Sequence, residues 1–173
     1  MNSSNSCLAT AILAVYNGAA TIRQALDTLL TQSVPVEIIV VDDGSTDTTL
    51  KILKEYKQVK VLKQGHQGPA LARNLGAQKA SSDILLFVDA DMSFDKNYVK
   101  ELIVPIQEGE AIGTYTTEEK VSNWDNVWAR CWNIEEGWEK QKRFPKSPPK
   151  FGTDFRSILN SEFDRVGGFY ITG

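Results

Sequence analysis

Between residues 8 and 106 the chain alternates four times between a short apolar run and a stretch with apolar residues at helical spacing. Strands read at LATAILAVY (8–16), VEIIVVDD (36–43), VKVLKQ (59–64) and DILLFVDAD (83–91). After the first, Ile22, Ala25, Leu26, Leu29 and Leu30 fall on one helical face. Ser45 or Thr46 is expected to cap a second helix carrying Leu50, Leu53 and Tyr56, with Asp47 in its first turn. Pro69 opens a third helix bearing Leu71, Leu75 and Ala80, and Asp95 caps a fourth bearing Val99, Leu102, Ile103 and Ile106. Strand–helix units in series close only through right-handed crossovers, so the expected class is α/β. The sheet should be Rossmann-like and mostly parallel, with helices on both faces.

Ligands on such sheets lie beyond the carboxyl ends of the strands. Three of the four strands end in polar residues there: Tyr16 and Asn17, then Asp42 and Asp43, then Asp89 and Asp91. In extended chain Asp89 and Asp91 would project the same way, roughly 6–7 Å apart. Two carboxylates at about 5 Å repel by about 3 kcal/mol at an effective dielectric near 20, which a bound cation relieves. Mg²⁺ or Mn²⁺ takes oxygen ligands, often one or two carboxylates plus substrate phosphates. A lone D-x-D is common in solvated loops, and D-D-G or Y-N-G is common in turns. Their occurrence together, each at a strand end, points to one site.

Bulk properties narrow the function. At 173 residues the chain fits one domain, and a formal charge of -3 argues against a nucleic-acid binder. Cys7 and Cys131 have no metal-ligand spacing and read as free thiols of a reducing compartment. The N-terminus lacks a basic n-region, and no run reaches the roughly 18 apolar residues of a membrane span. The expected location is therefore cytoplasmic. Beyond residue 106 the texture changes: Trp124, Trp128 and Trp132 keep helical spacing, KQKRFPKSPPK (140–150) reads as a basic loop, and FGTDFRSILN returns to strand texture. The tryptophans suit either a helix packed on the sheet or an aromatic stripe facing an acceptor. His66, the single histidine, reads as a loop residue in GHQG.

The segments AILAVYNGAATIRQALDTLLTQS, EIIVVDDGSTDTT, GPALARNLGAQKA, DILLFVDADM and FRSILNSEFDRVGGF resemble, in order and spacing, the family 2 glycosyltransferases. These are inverting enzymes of the GT-A fold that move a sugar from a nucleotide diphosphate to an acceptor. The resemblance implies one GT-A-like domain over 1–173, with residues 1–106 as the nucleotide-sugar half and 107–173 as the start of the acceptor half. It implies that Tyr16 and Asn17 lie near the nucleotide and that Asp43, preceded by Asp42, accepts a hydrogen bond from the base. Arg73 would lie near the donor. Asp89 would face the ribose or the metal, and Asp91 would ligate Mn²⁺ or Mg²⁺. The implied donor is a nucleotide sugar, most commonly a UDP-sugar. The acceptor is an unidentified sugar, lipid or protein, and association with the inner face of the membrane is compatible with the family.

In that family an acidic pair containing the catalytic base follows the glycines. This chain reads GGFYITG at that point, so the base is expected after Gly173 and donor binding without turnover is the alternative. Asp154 and Asp164 are not assigned to the role. Other nucleotide chemistries lack their motifs: there is no G-x-G-x-x-G after the first strand and no G-x-x-x-x-G-K. The basic, glycine-rich N-terminal loop of a sugar-nucleotide pyrophosphorylase is missing as well.

Overall fold

A computed structural model describes residues 7–116, 120, 140–141 and 155–170. The four expected units form β1 (Ala9–Val15), α1 (Ile22–Leu30), β2 (Val36–Asp42), α2 (Thr49–Leu53), β3 (Lys60–Lys63), α3 (Pro69–Ala77), β4 (Ile84–Asp89) and α4 (Tyr98–Gln107). Three further short elements follow: β5 (Gly113–Thr114), β6 (Ser157–Leu159) and α5 (Asn160–Arg165). The sheet order is β3-β2-β1-β4-β6-β5. Strands β1 to β4 pair in parallel, while β6 runs antiparallel to both β4 and β5. The chain moves outward from β1 to β3 and then returns to β4 on the other side of β1. A crevice opens at such a reversal of strand order, at the carboxyl ends of β1 and β4.

The apolar alternation of β1 explains its central place. Ala9, Ala11, Leu13 and Val15 join Ile38 and Val40 of β2 and the buried faces of α1, α2 and α4 in one core cluster. On the other face Ile39 and Val41 pack against Ala72 of α3, and Phe163 of α5 meets Phe87 with ring centroids 5.0 Å apart. Helices therefore cover both faces. In α1, Ile22, Ala25, Leu26 and Leu29 are buried as their spacing demands. Burial of Ile22, Leu26 and Leu29 contributes about 1.5–3 kcal/mol each.

Four local expectations change. Helix α2 starts at Thr49, and Asp47 Oδ1 accepts the Thr49 amide at 2.9 Å, so neither Ser45 nor Thr46 caps it. Helix α4 starts at Tyr98 without a side-chain cap from Asp95; Gln32 Oε1 accepts the Val99 amide at 2.9 Å instead. Helix α3 buries its small face, Ala72, Gly76 and Ala77, because Gly76 lets its backbone approach Ile12 of β1 where a Cβ would collide. The extended run of β4 ends at Asp89; Ala90 and Asp91 lie in a turn closed by the Met92 amide on Asp89 O at 3.3 Å.

Residues 1–114 and 156–173 form one compact unit, and residues 115–155 form a second. Of the second unit only Tyr115, Thr116, Lys120, Lys140, Gln141 and Phe155 are described. The tryptophan stripe, Cys131 and the basic segment beyond Gln141 lie outside the described residues. Cys7 is a free thiol. Among the described residues no helix is long and apolar enough to cross a membrane.

Candidate functional site

The exits of β1 and β2 are stitched together. Asn17 takes a left-handed conformation, φ 51°, which asparagine tolerates. Its Oδ1 accepts the amides of Thr46 at 2.8 Å and Asp47 at 3.2 Å, and its own N–H donates to Ser45 Oγ at 2.9 Å. The Ala19 amide donates to Asp47 Oδ2 at 3.2 Å. Asn17 is thus committed to holding two loops in register. This leaves its neighbour Tyr16, 47% exposed, standing over the strand ends.

Asp43 follows β2 and is 3% exposed. Its Oδ1 accepts Gln64 Nε2 at 2.7 Å and the Gln67 amide at 2.8 Å, and its Oδ2 accepts the Gly68 amide at 3.0 Å. His66 Nδ1 lies 3.1 Å from the same Oδ2. Burial pushes the Asp43 carboxyl up; the bonds from Gln64, Gln67 and Gly68 and the facing His66 outweigh it and hold the group below the usual carboxylate range. Gly68 precedes Pro69 with φ 94°, so Asp43 supplies from a distance the negative charge that the start of α3 favours. Asp42 is buried too. Its Oδ2 accepts the Ser45 amide at 3.3 Å, and its Oδ1 has no hydrogen-bond partner among the described residues. Strand alternation turns Asp42 to the face of Val40, away from Asp43.

At the end of β4, Asp89 holds two arginines. Arg73 Nη2 of α3 donates to Oδ1 at 2.8 Å, and Arg156 Nη1, at the start of β6, donates to Oδ2 at 3.1 Å. The Arg73 guanidinium also lies 5.8 Å from the ring centroid of Phe169. The adjacent Asn74 fastens the Phe169 backbone in both directions, Nδ2 donating to O at 3.0 Å and Oδ1 accepting N–H at 2.9 Å. Gly168 makes this possible: its φ is 78°, and a Cβ there would fall 2.7 Å from Asn74 Oδ1.

Helix α3 joins the two clusters, since its start rests on Asp43 and its Arg73 reaches Asp89. Across the sheet Asp42 is level with Val15, and Asp89 with Ala14. With β1 between them, the two strand ends stand roughly 10 Å apart on one edge. Four of the expected residues, Tyr16, Asp43, Arg73 and Asp89, are therefore linked through His66 and α3, while Asn17 and Asp42 meet through Ser45 in the adjoining loops. Asp42 faces the other way from Asp43, and Asp91 is exposed, with no partner among the described residues. Arg156 carries no sequence signal for this site, and His66, which reads as a loop residue, joins it. His66 stacks on Tyr16 with centroids 4.0 Å apart and planes at 30°.

The donor set bears on a divalent ion. Among the described residues no group of three or more His, Cys, Asp or Glu side chains could hold a metal. Both Asp89 oxygens are engaged by arginine, whereas the exposed Asp91 carboxylate has no partner among the described residues. One carboxylate plus substrate phosphates is an ordinary Mg²⁺ arrangement, so the residues fit an ion completed by its ligand.

Residues 10–170 match the family described as Glycosyl transferase family 2. Over 114 residues the chain is 37% identical to Glycosyltransferase GlyA of Streptococcus pneumoniae, covering 61% of this chain and 16% of that protein. The crystal structure of S. aureus TarS 1–349 superposes with a TM-score of 0.61 at 30% identity, covering 66% of this chain and 36% of TarS 1–349. TarS 1–349 has also been solved in complex with UDP-GlcNAc and with UDP. The mannosyltransferase PcManGT of Pyrobaculum calidifontis, solved with GDP-Man and Mn²⁺, shares the fold, with a TM-score of 0.63 at 18% identity over 95% of this chain and 48% of its own. The chain thus spans less than half the length of each of these proteins. The match over nearly the whole chain, with the strand order and the likeness to TarS, shows that it belongs to glycosyl transferase family 2 and has the GT-A fold.

Proposed function

We propose that the chain binds the nucleotide diphosphate of a UDP-sugar and serves transfer of that sugar, with inversion, to a sugar, lipid or protein acceptor, in the cytoplasm or at the inner face of the membrane. One observation carries this: Tyr16 and Asp43 on one side and Asp89, Asp91, Arg73 and Arg156 on the other share one strand-end edge, bridged by α3. Tyr16 offers a flat face to a base, and the buried Asp43 carboxylate accepts a ring N–H. Arg73 and Arg156, aligned by Asp89, bring two positive charges to where a diphosphate would lie. Uridine is favoured because TarS 1–349, 29% identical to this chain in those complexes, was solved with UDP and with UDP-GlcNAc.

Asp91 would hold Mn²⁺ or Mg²⁺, with Asp89 kept as the arginine anchor rather than a ligand. When bound, the ion supplies charge neutralisation to a departing diphosphate. Calorimetric titration of UDP tests the assignment: Mn²⁺ should tighten binding about tenfold or more, and Asp91→Asn should remove most of that gain. Equal affinities with and without the ion, or an unaltered gain in Asp91→Asn, would refute the metal role. Donor binding without turnover remains a second reading for this 173-residue chain. It is favoured because Asp42 and Asp43 are buried and Asp89 is ion-paired, which leaves none of the three free to take a proton from an acceptor hydroxyl.

A further inference from the structure

Four donors converge on Asp43: the side chain of Gln64, the amides of Gln67 and Gly68, and the ring of His66. A carboxylate has about four acceptor positions, so this one is full. A nucleobase N–H can reach Asp43 only if one donor leaves. The two amides fix the start of α3, and Gln64 makes the shortest of the bonds, at 2.7 Å. His66 is the loosest of the four: its side chain is 61% exposed and its Nδ1 stands 3.1 Å from the carboxylate.

His66 makes the two contacts expected of the base. Its ring lies on Tyr16, and its Nδ1 faces only acceptors, Asp43 Oδ2 at 3.1 Å and Asp43 O at 3.2 Å, so that nitrogen carries the proton. We infer that His66 occupies the base subsite as an internal mimic of the nucleobase, and that nucleotide binding requires its side chain to swing out. This rests on the proposed donor site and adds to it a residue that sets donor affinity. The population of the swung-out form then scales the apparent affinity.

Two measurements with UDP and Mg²⁺ test the inference. In calorimetry His66→Ala should tighten UDP binding roughly three- to tenfold, as removal of a competing closed form predicts, while Tyr16→Ala weakens it. As the single histidine, His66 gives an unambiguous pair of ring C–H signals in NMR, which saturating UDP should shift as the ring leaves Tyr16. Unchanged or weakened binding by His66→Ala, or a ring signal that stays in place at saturation, would overturn the mimic and leave the donor site standing. Failure of both native and variant proteins to bind UDP would overturn the donor site and the mimic with it.

Discussion

Replacing Asp43 with asparagine should destabilise the fold by an amount that the hydrogen bonds around it set. Whichever way the amide turns, its NH₂ faces donors that the carboxylate had accepted. The milder choice keeps oxygen toward Gln64 and Gln67 and sets nitrogen against the Gly68 amide. A buried backbone donor left unpaired costs about 1–3 kcal/mol. Loss of the charge at the start of α3 adds about 0.3–1 kcal/mol, and the surviving bonds weaken with a neutral acceptor. The total is roughly 2–4 kcal/mol, or a fall in Tm of roughly 4–16 °C for a chain of this length. The pH dependence has a definite sign. Asp43 is held below the usual carboxylate range in the folded protein, so its contribution is present above the unfolded value, about 3.9, and is lost as pH falls through the lower folded value. Thermal unfolding followed by circular dichroism should show the gap between native and Asp43→Asn wide at pH 7 and narrowing below pH 4. A Tm within about 2 °C of native at pH 7, or a gap that does not narrow in acid, would refute the role given to this carboxylate.

Two further substitutions probe how α3 is seated. Gly76→Ala places a methyl against Ile12 Cγ2 at the centre of β1, and the helix must retreat at a cost of about 1–3 kcal/mol, read as a lower urea midpoint with unchanged slope. Asn74→Ala removes both bonds to the Phe169 backbone, so amide exchange at Phe169 should quicken while that of β1 stays as in the native protein; equal protection at Phe169 would show that its ring packing alone holds the segment.

What was legible in the sequence divides along a physical line. Strands β1 to β4, the buried face of α1 and the edge carrying the site follow from apolar periodicity and crossover handedness, which are local or topological. The partners of the charged groups do not. Asp43 finds its donors in residues 64–68 and Asp89 in residues 73 and 156, and no pattern near either aspartate names them. The D-x-D spacing predicts parallel side chains for an extended chain, whereas the strand ends at Asp89 and Asp91 lies exposed in the turn closed by the Met92 amide on Asp89 O. His66 reads as a loop residue because one histidine has no periodicity to betray it, and only the meeting of the β1, β2 and β3 exits sets it between a ring and a carboxylate. Elements β5, β6 and α5 are two to six residues long, too short for periodicity to mark, and pairing with β4 and packing on Phe87 decide them. Apolar pattern therefore located the strand-end edge on which these side chains gather. Which carboxylate on that edge is free, and which is already spoken for, depends on donors brought there by the fold, and here that distinction separates Asp91 from Asp43 and Asp89.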